Sequence, residues 1–387
     1  MKRRRCLSAA LASLFLMTAA VPSASAGQEI SPPALSPGYQ PSAATDEGGL
    51  WMMSDKAERE VQRSPLLVRD KALNDYVQGL VCKLAGPNCS AIRVYILNIP
   101  YFNANMAPNG AMQVWSGLLL RSKNEAQLSF VLAHEISHYL KRHTLNRYQS
   151  ARDTSNAMAF LSLATGGIVG GIASLVAVGE LSAYSRDQER EADAYGFDLV
   201  TAAGYDPREG AAIWEQVEAE RKADPDEEEP DYFFASHPTS EERFETLSQK
   251  AAEIEKARSG WKKGRETYLK AIKPFRGRWL EGELNRGKYA ESKVLLDRLI
   301  KDDPQSSELR FYLGELYRRQ GEDSAAMTAY KHAIDGEDTP TAAYRGLGLS
   351  ALKMKEKTVA RDAFNEYLAR EPEADDRAMI EFYLSGL

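Results

Sequence analysis

The chain has 387 residues, 43% of them hydrophobic and 27% charged, with a formal net charge of −6. That length accommodates two or three domains with a sizeable core. The acidic balance offers no basic face of the kind a nucleic-acid binder needs, so no nucleic-acid partner is expected.

Residues 1–26 read as a cleaved secretory signal. Lys2 to Arg5 are basic, Leu7 to Ala20 are apolar, and Ala24-Ser25-Ala26 supplies a small-residue cleavage site. This predicts an exported protein. Residues 27–45, rich in Ser, Pro, Ala and Gly, read as a flexible N-terminal segment. Cys6 lies within the basic region, which leaves Cys82 and Cys89 in the mature chain. In an exported protein this pair is expected to close a small disulfide loop across the Gly86-Pro87 turn.

From Asp46 to Glu60 apolar residues recur at helical spacing, and Val68 to Cys82 predicts a second amphipathic helix. Ile92 to Leu97 alternates and is β-branched, as a strand does. Asn109-Gly110 is a hairpin signal, and Ala111 to Ser116 follows it. A small antiparallel sheet is therefore expected before a helix that starts at Asn124-Glu125 and ends near His143.

That helix carries His134-Glu135-Ile136-Ser137-His138, which is H-E-x-x-H among apolar neighbours. Positions four apart share a helix face, so two imidazoles aim at one cation and Glu135 lies beside them as a general base. His143, nine positions after His134, is out of phase and predicts a surface histidine on a basic helix end. Thr154 to Gly179 carries no charge and is long enough to span a bilayer, but two Gly-Gly pairs interrupt it. A helical hairpin near the cleft, touching a membrane surface, is the reading preferred over a span. Downstream, Glu189 and Asp193 stand four apart. They belong either to a solvated charged helix or to the second half of the site. In the second case Glu189 is the third ligand, and Asp193 fixes a histidine tautomer.

H-E-x-x-H followed about fifty residues later by Glu-x-x-x-Asp resembles the HtpX/BepA-type zinc metallopeptidases, a group within the gluzincins. The resemblance also takes in Asn103 to Gly110, Ser116 to Leu119 and Asn124 to Leu128. It implies one Zn2+ on His134, His138 and Glu189, polypeptide substrates, and a periplasmic role in outer-membrane protein quality control. It further draws in His237-Pro238-Thr239 with Arg243. On chemistry alone His237 caps a helix, covers the open zinc position, or donates to an oxyanion; Arg243 donates to that oxyanion or pairs with a carboxylate. The hairpin around Asn103 and Asn105 offers an edge for an extended substrate backbone.

Asp224 to Asp231 reads as a solvated acidic loop, and Tyr232-Phe233-Phe234 is expected to pack beneath His237. Beyond Glu266 a period of 34 residues aligns three segments at tetratricopeptide signature positions, among them Leu313, Gly314, Tyr330 and Leu347, Gly348, Phe364. Residues from Glu373 form a capping helix. The fold class expected is an α+β metallopeptidase domain, mostly helical with a small sheet, over 46–265. An all-α tetratricopeptide superhelix follows over 266–387, recruiting clients or components of an outer-membrane assembly pathway.

Overall fold

The computed structural model describes residues 35–152, 183–224, 232–237, 241–257 and 259–387. The expected signal sequence, the uncharged segment 154–179 and all of the acidic run but Asp224 lie outside the described residues. No described helix is long and apolar enough to cross a membrane.

Helix α1 (Asp46–Arg63) opens where the Thr45 side chain accepts from the Gly48 N–H. Helix α2 (Lys71–Ala85) starts three residues later than its periodicity suggests, because Asp70 caps it by accepting from the Leu73 N–H. Val68 is instead drawn toward the sheet, where its N–H donates to Ile96 O at 2.8 Å. A 3-10 turn over Gly86–Ala91 follows, and the Cα atoms of Cys82 and Cys89 end 4.5 Å apart.

Three strands, β1 (Arg93–Leu97), β2 (Ala104–Met106) and β3 (Ala111–Trp115), form a sheet in the order β1-β3-β2. The sheet is mixed rather than wholly antiparallel. The tight turn after β2 makes β2 and β3 antiparallel, and Gly110 at φ +87° closes it by donating to Ala107 O at 2.9 Å. Residues 98–103 first carry the chain past the central position. β3 then enters between its predecessors and runs parallel to β1, with Arg93 opposite Ala111. Among the described residues β2 has no second strand neighbour.

Helix α3 (Ser116–Arg121) leads to α4 (Glu125–Leu140), capped by Asn124 and buried at every position. It ends three residues before His143, which opens α5 (His143–Arg152). Helices α6 (Arg186–Ala202), α7 (Arg208–Arg221), the short α8 (Tyr232–Ser236) and α9 (Glu241–Ala257) complete the layer around α4. Ser185 and Gln188 form a reciprocal capping box at the start of α6.

The repeats are the helix pairs α10 (Arg265–Asn285) with α11 (Tyr289–Asp302), α12 (Ser307–Gln320) with α13 (Asp323–Ile334), and α14 (Ala342–Lys353) with α15 (Lys357–Arg370); α16 (Arg377–Ser385) ends the array. One core runs from Leu73 through α4 to Leu296, Leu316 and Ala329, so it crosses the junction at Arg265 without interruption. Residues before α10 are bonded into the first layer: the Ala126 N–H donates to Lys263 O, and the Asp206 N–H to Lys262 O.

Candidate metal centre

Four of the five histidines in the chain converge on α4. His134 and His138 lie one helical turn apart, and α6 brings Glu189 against them. This is possible because Gly196, seven residues beyond Glu189 on the same face of α6, has no side chain. A Cβ there would lie 3.1 Å from the His134 backbone nitrogen. His237 arrives from the end of α8, its ring stacked on Phe233 with centroids 4.5 Å apart. Of the aromatic run expected beneath His237, Phe233 takes that place, while Tyr232 packs edge-on against Tyr101 and Trp115.

The donor atoms make a compact set. His134 Nε2 and His138 Nε2 are 3.0 Å apart, and each lies 3.4 Å from a Glu189 oxygen. His237 Nδ1 is 3.2 Å from His134 Nε2 and 3.0 Å from Glu189 Oε1. All four side chains are buried, and their donor atoms fall within 4.8 Å of one another. Tetrahedral zinc with bonds of about 2.0–2.1 Å has ligand–ligand edges of about 3.3 Å. The set fits a divalent cation in size and in ligand chemistry.

The hydrogen bonding behind the donors supports the same reading. His134 Nδ1 meets Asp193 Oδ1 at 3.0 Å, and the Arg243 guanidinium grips Asp193 from behind at 2.6 and 2.9 Å. A proton on Nδ1 satisfies the carboxylate and leaves Nε2 with its lone pair toward the cluster. Burial opposes charging His134, but Glu189 and Asp193 outweigh it and raise its pKa to about 9. A pocket that drives an imidazole to take a proton favours positive charge at that point. His138 stays neutral, held well below its ordinary value chiefly by burial. Glu189 is well below the usual carboxylate range; burial works against ionisation, and His237 and His134 override it. Glu135 moves the other way, raised by burial. Its Oε1 is buried without a hydrogen bond among the described residues, and His237 Nε2 lies 3.3 Å off, out of alignment.

One sequence reading narrows to one of its two alternatives and another changes. Arg243 does not present its guanidinium to an oxyanion: it is committed to Asp193 and, at 2.7 Å, to Glu189. His143 is not a surface residue. It is 1% exposed, and its Nδ1 lies 2.9 Å from His138 Nδ1. The helical phase argument failed because α4 ends at Leu140, and Arg142 at φ 58° turns the chain back before His143. Glu191, which points away from the donor cluster, meets His143 Nε2 at 3.2 Å. Tyr184 was not singled out at all. Its ring stacks on His138 with centroids 3.8 Å apart; no spacing signal links them, since Tyr184 precedes α6 and its cap.

Residues 68–251 match peptidase family M48, and residues 281–343 match a tetratricopeptide repeat. The first is an M48 peptidase domain. The M48 domain is followed by tetratricopeptide repeats, in the order the helix pairs show. Among curated relatives, the mitochondrial metalloendopeptidase OMA1 of Schizosaccharomyces pombe is 31% identical over 157 residues, 40% of this chain and 45% of that one. The beta-barrel assembly-enhancing protease of Escherichia coli K12 is 25% identical over 216 residues, 52% of this chain and 44% of its own length. Metalloprotease LoiP of the same organism is 33% identical over 151 residues, 38% and 57% respectively. The chain thus spans about half the length of the curated relatives it matches. The M48 assignment implies a divalent metal, and the buried His134, His138, Glu189 and His237 donors fit one.

Proposed function

We propose that the chain is an exported zinc metalloendopeptidase. Its substrates are unfolded or misassembled envelope proteins, and its repeats recruit clients or assembly partners. The observation that carries this reading is the set of four buried donors within 4.8 Å of one another, with Glu135 beside them. His134, His138 and Glu189 are the proposed ligands. Zinc held there would supply Lewis acidity toward water and a scissile carbonyl.

The remaining work falls to the protein. Glu135 takes the proton of the attacking water and returns it to the leaving amine. Its burial-raised pKa brings it closer to the pH at which both transfers are efficient. Asp193, backed by Arg243, keeps His134 in the ligating tautomer. The free edge of β2 receives an extended backbone. Asn103 O and the Ala107 N–H already bond β3, so by alternation the polar groups of Ala104 and Met106 face outward on either side of Asn105. Asn103 Oδ1, buried and without a partner among the described residues, is an acceptor available to that backbone. Such recognition tolerates many sequences. The Cys82–Cys89 pair is proposed as a disulfide of the oxidised, exported protein, pinning the turn behind β1. The E. coli relative, a beta-barrel assembly-enhancing protease, motivates the envelope setting.

His237 favours a second reading of the same site. With Nδ1 in the donor set it stands where a fourth ligand would exclude substrate. That describes a latent protease acting mainly as a chaperone or scaffold until His237 withdraws. The deciding experiment uses the full chain. Glu135→Gln is expected to keep one zinc per chain and to lose chelator-sensitive casein cleavage by about 100-fold or more. Cleavage at the wild-type rate sinks the assignment.

A further inference from the structure

Resting on the zinc reading of the site, we propose that His143 is a positioning residue for His138, completed by Glu191. The two ligand histidines of α4 are held in different ways. His134 donates from Nδ1 to a carboxylate, Asp193. Among the described residues no carboxylate stands behind His138. Its Nδ1 faces another imidazole nitrogen, His143 Nδ1, at 2.9 Å.

Two facing ring nitrogens at that distance need one donor and one acceptor. A ligand histidine that binds through Nε2 keeps its proton on Nδ1, so His138 donates and His143 accepts. His143 must then carry its own proton on Nε2. There it meets an acceptor, Glu191 Oε2, at 3.2 Å. Lys141 Nζ, 2.8 Å from Glu191 Oε1, holds that carboxylate in place. Each hydrogen bond along Glu191, His143 and His138 dictates the tautomer of the next ring. His143 is 1% exposed, so water cannot substitute for it. Its backbone turns inward through Arg142 in the left-handed region, held by its guanidinium's pair with Glu47.

The relay serves the site in a way a carboxylate would not. A second carboxylate would add negative charge beside Glu189 and Glu135; an imidazole fixes the tautomer while remaining neutral.

The test is zinc affinity, measured by competition with a chromophoric chelator on the full mature chain. His143→Phe keeps the ring volume and removes the acceptor, and zinc binding is expected to weaken about 10–100-fold. His143→Asn, whose Oδ1 can accept from His138 Nδ1, is expected to recover most of that loss. Glu191→Ala, at an exposed position that does not threaten folding, is expected to weaken binding less than His143→Phe but measurably. A purely structural role would instead lower thermal stability in all His143 variants, with zinc affinity of the folded fraction unchanged and no rescue by Asn. A wild-type chain that takes up no zinc overturns the metal reading and this inference with it. Tight wild-type binding matched by His143→Phe and Glu191→Ala overturns the inference alone.

Discussion

At the scale of single residues, the centre combines opposite demands on neighbouring groups. Glu189 is kept ionised by His237 and His134 beside it, while Glu135 is pushed toward its neutral form by burial. One carboxylate therefore suits a cation and the other suits proton transfer. His237 lies between them, 3.0 Å from Glu189 and 3.3 Å from Glu135. If it occupies the fourth position at rest, only the fraction of molecules with His237 withdrawn is competent. His237→Ala is then expected to raise casein cleavage on the order of tenfold by enlarging that fraction, with zinc stoichiometry unchanged. A loss of about 100-fold would instead assign His237 to the oxyanion.

At the scale of elements, the site depends on how closely α6 approaches α4. Gly196 sets that distance, and it shares a face with Glu189 two turns earlier. Gly196→Leu forces a side chain against the backbone at His134. The expected cost is about 1–3 kcal/mol of stability, with Glu189 displaced and zinc affinity reduced. Calorimetry with a chelator titration checks both; a destabilised protein with native zinc affinity would show that α6 is not positioned in this way. The strands matter for a different reason. β2 is short, and among the described residues it pairs on one side only, with β3 standing between it and β1.

At the scale of the whole molecule, the M48 layer and the first repeat share one hydrophobic core and one buried ion-pair network. Arg121 on α3 is fully buried between Glu220 of α7 at 2.6 Å and Glu283 of α10 at 3.0 Å, and Arg298 of α11 reaches Glu220 at 2.7 Å. Removing Arg121 takes one buried cationic partner from each carboxylate and, among the described residues, leaves Glu220 only Arg298 and Glu283 only Arg286, so Arg121→Ala is expected to cost about 3 kcal/mol, the low end for a broken buried pair, in a denaturant titration. The network also predicts a pH dependence. Burial raises the Glu283 pKa, but Arg121 and Arg286 outweigh it and hold the group below its ordinary value near 4.5. A carboxylate depressed in the folded state stabilises fully above its unfolded pKa and loses that contribution as pH falls through the folded one. Melting temperature should therefore fall as pH drops below about 4.5, and less steeply in Glu283→Gln. A flat profile common to both proteins would remove Glu283 from the account.

Much was legible without coordinates, and for identifiable reasons. H-E-x-x-H is a local pattern whose geometry is guaranteed by the helix that carries it, and Glu189 with Asp193 repeats the same spacing logic on α6. The 34-residue period reveals stacked helix pairs because each unit must bury the same positions against its neighbours. The surroundings of the metal were not legible. Helical phase placed His143 on the surface, and only the reversal at Arg142 brings it behind His138. The sequence left Arg243 either an oxyanion donor or a carboxylate partner, and its ion pairs with Asp193 and Glu189 realise the second. The parallel pairing of β1 with β3 and the single core across Arg265 were equally hidden. Spacing along the chain decides what one helix presents to a cation. Packing between distant segments decides which groups stand behind it, and those groups set tautomer, charge and access.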